Sequence, residues 1–198
     1  MQVLNTEKDS VLIGSGYLYA IESSEFVKDP INISDMVEIG YIKDSAKFTR
    51  THEQKDIESA NYGTIDSING KYTTTFDTGI ISYNANNVAR FLTGDRIVAA
   101  ADNQGGSTKT TFYAESSKTP SVALVFVGDD TDENDVGAKF TLVMPKCKWQ
   151  GEYALDFNND NPVELNYSFK CLNTTMPNNQ IGAAWLIEER KTTVQSGG

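Results

Sequence analysis

Histidine is almost missing from this chain of 198 residues, and that scarcity excludes a good deal of chemistry at once. The single histidine, His52, lies in a charged stretch with no evident partner, so it reads as a surface residue. A His-dependent catalytic triad would have to use it. Cysteine is as scarce. Cys147 and Cys171 each sit inside an apolar alternation and read as small buried hydrophobes rather than halves of a disulfide. These three residues are far apart in sequence and lack the spacing of a zinc site. No stretch approaches the roughly 18 apolar residues of a membrane helix. The first ten residues, Met1 to Ser10, are polar and carry Glu7, Lys8 and Asp9. They lack the basic start and apolar run of a secretory signal, so the expectation is a protein made and used in a cytoplasm. Without an export signal the sequons at Asn32, Asn166 and Asn173 carry no weight.

Positive charge is also in deficit. The formal net charge is −10, which argues against ordinary nucleic-acid binding through a basic patch. The acidity is concentrated: between Asp129 and Glu164 nine acids face three lysines, and five of the seven residues Asp129–Asp135 are acidic. This run reads either as a solvated hairpin tip or as a surface that must repel a polyanion. Its residues 130–135 imitate a calcium loop at first. The sixth position is Asp135 where a glycine is required, and the twelfth is Thr141 where a bidentate glutamate is required. Gly14-Ser15-Gly16 runs into Tyr17, Leu18 and Tyr19, so the dinucleotide fingerprint fails at its third glycine, and no phosphate-binding loop is present. Nothing singles out a carboxylate pair for glycoside hydrolysis among the 27 acids. The expectation is a protein that is not an enzyme and holds no metal or cofactor.

What the chain does have is strand patterning. Hydrophobic content is 39%, a little low for a compact globule of this length, which fits a fold with arms that settle against neighbours. β-Branched and aromatic residues alternate with polar ones, punctuated by Gly, Asn and Asp. Val11–Ile21 reads as a first strand with Val11, Ile13, Tyr17, Tyr19 and Ile21 on one side. Val37–Arg50 is a second extended stretch. Glu53–Ser59 has little core signal and reads as a loop or the far side of a long hairpin. Tyr72, Thr74, Phe76, Thr78 and Ile80 share a face of Lys71–Ile81. Ser121–Gly128 is almost continuously apolar, as a strand buried on both faces is. Phe140, Leu142 and Met144 alternate with Thr141 and Val143. Asp156–Asn161 is a turn cluster, and Val163, Leu165, Tyr167, Phe169 and Cys171 then keep a period of two. Ile181–Ile187 reads as a closing strand. Trp149 and Trp185, each in an alternating stretch, are expected in the core.

One helix is predicted over 84–93. Asn84 can cap it, Ala85, Val88, Ala89 and Leu92 form its apolar stripe, and Arg90 and Gly94 suit its end. About ten residues are too few to be stable alone, so this helix must dock on a sheet. The polar stretch Thr93–Lys118 that follows reads as a long loop. The fold class expected is therefore mainly β, a sandwich or half-barrel with one short docked helix. Its organisation is an N-terminal arm over 1–10, a β domain over 11–190 and a flexible tail over 191–198. Within it, 48–66 is an inter-subunit arm or a long hairpin.

This order of elements resembles a family. The apolar start Val11-Leu12-Ile13-Gly14-Ser15-Gly16 is followed by Val37-Glu38-Ile39-Gly40-Tyr41-Ile42 and the charged His52-Glu53-Gln54-Lys55-Asp56-Ile57. Then come the Thr-rich strand Lys71–Thr78, the helix Asn84–Leu92, the strand ending Met144-Pro145-Lys146-Cys147, and the last alternation Val163–Leu172. From Val11 to Ile187 the layout is similar to that of the major tail tube protein of long-tailed, non-contractile bacteriophages. The resemblance rests on layout, with no short signature.

It implies a structural virion protein of the tail, assembled in the host cytoplasm as hexameric rings that stack into a tube. It further implies an inner β-barrel shared between subunits, with the helix outside it. The tube forms around a tape-measure protein and meets tail terminator and tail-tip proteins, and DNA later passes down its bore. In that setting Gln54, Lys55, Asp56, Ile57 and Glu58 become an inter-subunit arm. The acidic run Asp129, Asp130, Asp132, Glu133 and Asp135 becomes a lumen-facing loop, where negative charge keeps DNA mobile. Two other readings remain open on the residues. One is the tube protein of a contractile tail or injection system, which an outer sheath-binding surface would distinguish. The other is a β-sandwich that binds carbohydrate or another ligand, which an exposed aromatic platform would mark.

Overall fold

In a computed structural model, the described residues are 15–42, 46–59, 61, 63–83, 96–101, 108–113, 119–128, 138–150 and 165–190. Their secondary structure is almost entirely β. The main strands are β1 (Gly16–Glu22), β2 (Val37–Ile42), β3 (Lys47–Ser59) and β4 (Gly63–Tyr83). They continue with β5 (Arg96–Ala101), β6 (Thr108–Tyr113), β7 (Val122–Gly128), β8 (Ala138–Gln150) and β9 (Leu165–Cys171). The short pair β10 (Thr174–Thr175) and β11 (Ile181–Gly182) precedes β12 (Trp185–Arg190). A single 3₁₀ turn, Ile33–Asp35, is capped by Asn32, whose side chain accepts from the Ser34 N–H at 3.3 Å.

The antiparallel pairings close on themselves. β1 pairs β2 and β7, β2 pairs β4, β4 pairs β9, β9 pairs β8, and β8 pairs β7. The expected sandwich or half-barrel is thus a closed circuit of six strands built on two long ones, β4 and β8. The registers show which flank of each long strand is used. Cys147 of β8 is opposite both Val122 of β7 and Cys171 of β9, so those neighbours lie on opposite sides. Val143 is opposite both Val125 of β7 and Trp185 of β12, so β12 shares a flank with β9. By the same argument β3 follows β2 along one flank of β4, with Ile42 opposite Ile80 and Lys47 opposite Asp77.

β9 and β12 are therefore one line of chain interrupted by an excursion that carries β10 and β11. Lys28 ties this excursion down, donating from Nζ to the Thr175 carbonyl and, at 3.3 Å, to Thr174 Oγ1. At its tip Asn179 takes a left-handed conformation at φ 62°, which asparagine tolerates better than most residues.

The core follows from strand parity. Leu18 and Ala20 of β1, Phe76 and Ile80 of β4, Leu124 and Phe126 of β7, Leu142 and Met144 of β8, and Tyr167 and Phe169 of β9 all point inward and are buried. Two bulges repair the parity where the sequence breaks it. On β2 an extra residue, Ile39, opposes β1 between Glu38 and Gly40, so Ile39 and Ile42 both reach the core. On β8 Pro145 and Lys146 lie within a bulge opposite β7, which brings Cys147 inward after Met144. Proline in a central strand belongs at such a bulge because it cannot donate to the ladder. β7 is buried on both faces, as its continuous apolar run predicts: Ala123 and Val125, like Val143 of β8, are buried on the outward side.

Several expectations are corrected. Tyr17, Tyr19 and Ile21 do share a side of β1, but it is the outer one, and Leu18 and Ala20 fill the core. The stretch Thr93–Lys118, expected as a long loop, contains the antiparallel pair β5–β6, with Ile97 opposite Phe112 and Val98 opposite Thr111. The β-branched and aromatic content of those twelve residues outweighs the polar, glycine-rich run between them. Ile181–Ile187 is split between β11 and β12. The helix over 84–93, with Ala85, Val88, Ala89 and Leu92, lies outside the described residues, as do the segments 1–10 and 191–198.

Gly16 is opposite Gly128 across β1 and β7. A Cβ at Gly16 would collide with the Val127 carbonyl oxygen and come within 2.9 Å of Gly128 Cα. Those are backbone atoms and cannot step aside. Gly16→Val is expected to lower stability by at least about 2 kcal/mol in a denaturant titration; an unchanged midpoint would show that this edge of β1 is looser than described. Thr78 gives the opposite sign. Its side chain is buried on the inner face, and its hydroxyl has no hydrogen-bond partner among the described residues. Thr78→Val is expected to raise stability by about 1 kcal/mol, because a buried hydroxyl without a partner forfeits its solvation. A loss of stability would mean that the hydroxyl is satisfied by water.

Candidate functional site

Among the described residues, two strands have a single neighbour in the sheet, β12 at one end and β3 at the other. An unpaired strand edge is a template for another strand unless it is guarded. Exposed apolar side chains occur at both ends. Leu186 of β12 is 53% exposed; Phe48 and Ile57 of β3 and Ile65 and Tyr72 of β4 are exposed as well.

The β3–β4 hairpin runs well past the circuit. Pairing continues from Lys47↔Asp77 out to Ser59↔Gly63, while β9 covers β4 only from Thr74 to Ile80. The part beyond β9, from His52 to Ser59 and back, extends roughly 20 Å at strand rise among the described residues. Gln54, Lys55, Asp56, Ile57 and Glu58 lie in this hairpin, opposite Asn69, Ile68, Ser67, Asp66 and Thr64. Asp56 and Ile57 are exposed. At the base of the projection the Arg50 guanidinium lies 4.6 Å from the Tyr72 ring centroid, and the His52 ring lies 5.7 Å from the same ring. This stack stiffens the base, since cation–π contacts at exposed sites contribute about 0.5–1 kcal/mol. It is the surface role expected of His52.

A second feature was not foreseen. The β1–β2 connection, the turn after β10 and the outward faces of β8 and β12 enclose a cleft of about 590 Å³. Pro30, Ile31, Pro177, Trp185 and Ile187 supply its apolar wall. Trp185, expected in the core, is half-buried in this wall instead, because β12 lies beyond the closed circuit and its outward face meets the β1–β2 connection and the turn after β10. Trp149 does pack against the core, partly buried.

Among the described residues no group of three or more His, Cys, Asp and Glu side chains could hold a metal ion. Tyr19 has its phenol pushed up by burial, and further by Glu38 and Tyr17. Cys147 is pushed well up by the hydrogen bond with Cys171 and by burial. Both shifts favour the neutral group, the opposite of what an activated nucleophile needs. The acidic run Asp129, Asp130, Asp132, Glu133 and Asp135 lies between β7 and β8 in sequence, outside the described residues.

No protein-family model and no curated protein matches the chain. Among solved structures it is similar to a chain in the 6-fold symmetrised cryo-EM structure of the anti-feeding prophage baseplate. That likeness has a TM-score of 0.38 and 8% identity, over 92% of this chain and 97% of that one.

The raised Cys147 thiol has a consequence for stability. Between its unfolded value near 9.0 and its higher folded value, the folded state holds a proton that the unfolded state has released. Stability is then fully present below pH 9 and falls as pH rises above it. The reduced protein should show a flat melting temperature from pH 6 to 8 and a decline above pH 9. Cys147→Ala should flatten part of that decline, and an identical slope in both proteins would remove the thiol as its cause.

Proposed function

We propose that this chain is a structural subunit of a phage tail tube, polymerising head to tail as hexameric rings that stack around a bore for DNA. The observation that carries this reading is the combination of a self-closed β core with two open strand edges. β12 and the outer part of β3–β4 lie outside that closed circuit. Such strands serve best when a neighbour's edge covers them. Because the two edges differ, their contact is heterologous, and a rotation that returns to its start closes a ring. The projecting hairpin then reaches the next subunit or ring, in keeping with its exposed Ile57 and Ile65.

In this reading the protein performs no catalysis and binds no cofactor. Its partners are other copies of itself, a tape-measure protein, and the proteins that cap and tip the tail. The acidic run Asp129–Asp135 faces the bore, where negative charge repels phosphates and lets DNA slide. The resemblance in chain layout to non-contractile tail tubes sets the choice of tube over other β assemblies.

Negative-stain micrographs of the purified protein, at rising concentration and with preformed tail tips as seeds, test the reading. Rings or tubes are expected, and a monomer that never polymerises under either condition would defeat it. The edges supply a finer test. Leu186→Asp places a charge on the exposed edge strand without touching the core, so the subunit should keep its melting temperature within about 1 kcal/mol of stability and lose assembly. Ile57→Asp should do the same through the hairpin. Normal tubes from both variants would place the contacts elsewhere.

A further inference from the structure

Closure of the circuit depends on β9 and on its seam with β8. Among the described residues the β8–β9 ladder registers four pairs, Cys147↔Cys171, Lys148↔Lys170, Trp149↔Phe169 and Gln150↔Ser168. One of the four sets two lysines directly opposite each other, an arrangement that weakens a strand pair. At the inner end of the seam lie both cysteines of the chain, buried and free.

Their geometry is specific. The two Sγ atoms are 3.5 Å apart. The next pair along, Lys146 and Leu172, is joined by a backbone bond from Leu172 N–H to the Lys146 carbonyl at 2.7 Å. Pairs alternate along an antiparallel ladder, so Cys147 and Cys171 occupy a non-hydrogen-bonded position. At such positions the Cα atoms stand about 4.5 Å apart with the side chains drawn together. That separation falls at the near edge of the roughly 4.4–6.8 Å range that a disulfide bridges. Both side chains also point to the same, inner face, as cross-strand partners must.

We propose that Cys147 and Cys171 form a latent cross-strand disulfide, a site at which oxidation converts the β8–β9 seam from a hydrogen-bonded closure into a covalent one. A small disulfide such as oxidised glutathione is the oxidant. One cysteine thiolate attacks its S–S bond, forming a mixed disulfide and releasing one glutathione thiolate. The other cysteine then attacks the protein sulfur of the mixed disulfide and releases the second. The protein loses two protons and two electrons and gains one S–S bond, while the glutathione disulfide is reduced to two thiols.

Burial and the raised Cys147 thiol make the resting pair slow to react. Reaction therefore waits on transient opening of the seam and then locks it shut. The bridge joins residues 24 apart in sequence, enough for an entropic gain on the order of a hundredfold in the unfolding equilibrium. The inference concerns the isolated subunit and does not rest on the tube reading.

The test uses the full-length protein, reduced and then incubated folded with oxidised glutathione. It is denatured, alkylated and weighed by mass spectrometry. The expected product has lost two hydrogens, takes up no alkylating agent, and yields a peptide joining Cys147 to Cys171. Its melting temperature should rise by roughly 5–10 °C over the reduced form and return on reduction. Cys171→Ala should show neither the cross-link nor the rise; where that variant is poorly folded, Cys171→Ser serves as the second control. Free thiols or single glutathione adducts after prolonged oxidation of the native protein would overturn the proposal. So would a cross-linked form that melts below the reduced one.

Discussion

Closure of the six-strand circuit is the constraint on which the rest of this structure depends. An open sheet of this length would carry two bare edges and a half-exposed inner face. Bringing β9 between β4 and β8 pairs both flanks of the inner strands and seals Leu18, Phe76, Leu124, Met144 and Phe169 into one core. Burying large side chains such as these contributes about 1.5–3 kcal/mol each before entropy is counted. The two bulges follow from the same requirement. Without the extra residue at Ile39 and the break at Pro145, strict alternation would turn Ile42 or Cys147 outward.

Closure also decides what is left over. β4 has 21 residues and β8 has 13, longer than a small closed barrel can use. The surplus has to go somewhere, and it goes to β3 and β12, which continue the lines of β2 and β9 beyond the circuit. Their exposed apolar residues are stable only as long as something covers or dilutes them. Stability within the subunit and incompleteness at its borders thus have one origin, the length of two strands. The subunit's assembly surface, in the reading proposed above, is what remains of those strands after the core has been closed.

Much of this was legible along the chain. The face Thr74, Phe76, Thr78 and Ile80, the double-sided burial of Val122–Phe126 and the period of two through Tyr167, Phe169 and Cys171 all followed from residue type and spacing. The low core signal of Glu53–Ser59 marked a segment away from the core. The outer face of β1 was not legible as such, because Tyr17, Tyr19 and Ile21 are as apolar as Leu18 and Ala20. Parity shows which residues share a side but does not say which side the core takes. The pair β5–β6 was hidden by the polar run of Gln104, Gly105, Gly106 and Ser107, which resembles a loop until partners are seen on each side of it. The cleft beside Trp185 was hidden because its walls come from 28–33, from β8 and from 176–189, three segments far apart in sequence.

The sequence by itself determined that the chain is built of strands and which residues alternate within each. Those are local matters, settled by side-chain shape and the two-residue repeat of an extended backbone. Only the tertiary structure decided that the circuit closes, that β4 and β8 overrun it, and that Cys147 and Cys171 stand opposite each other on one inner face. Pairing of distant strands is set by register, and register depends on bulges and on the packing of all six strands at once. No single segment carries that information.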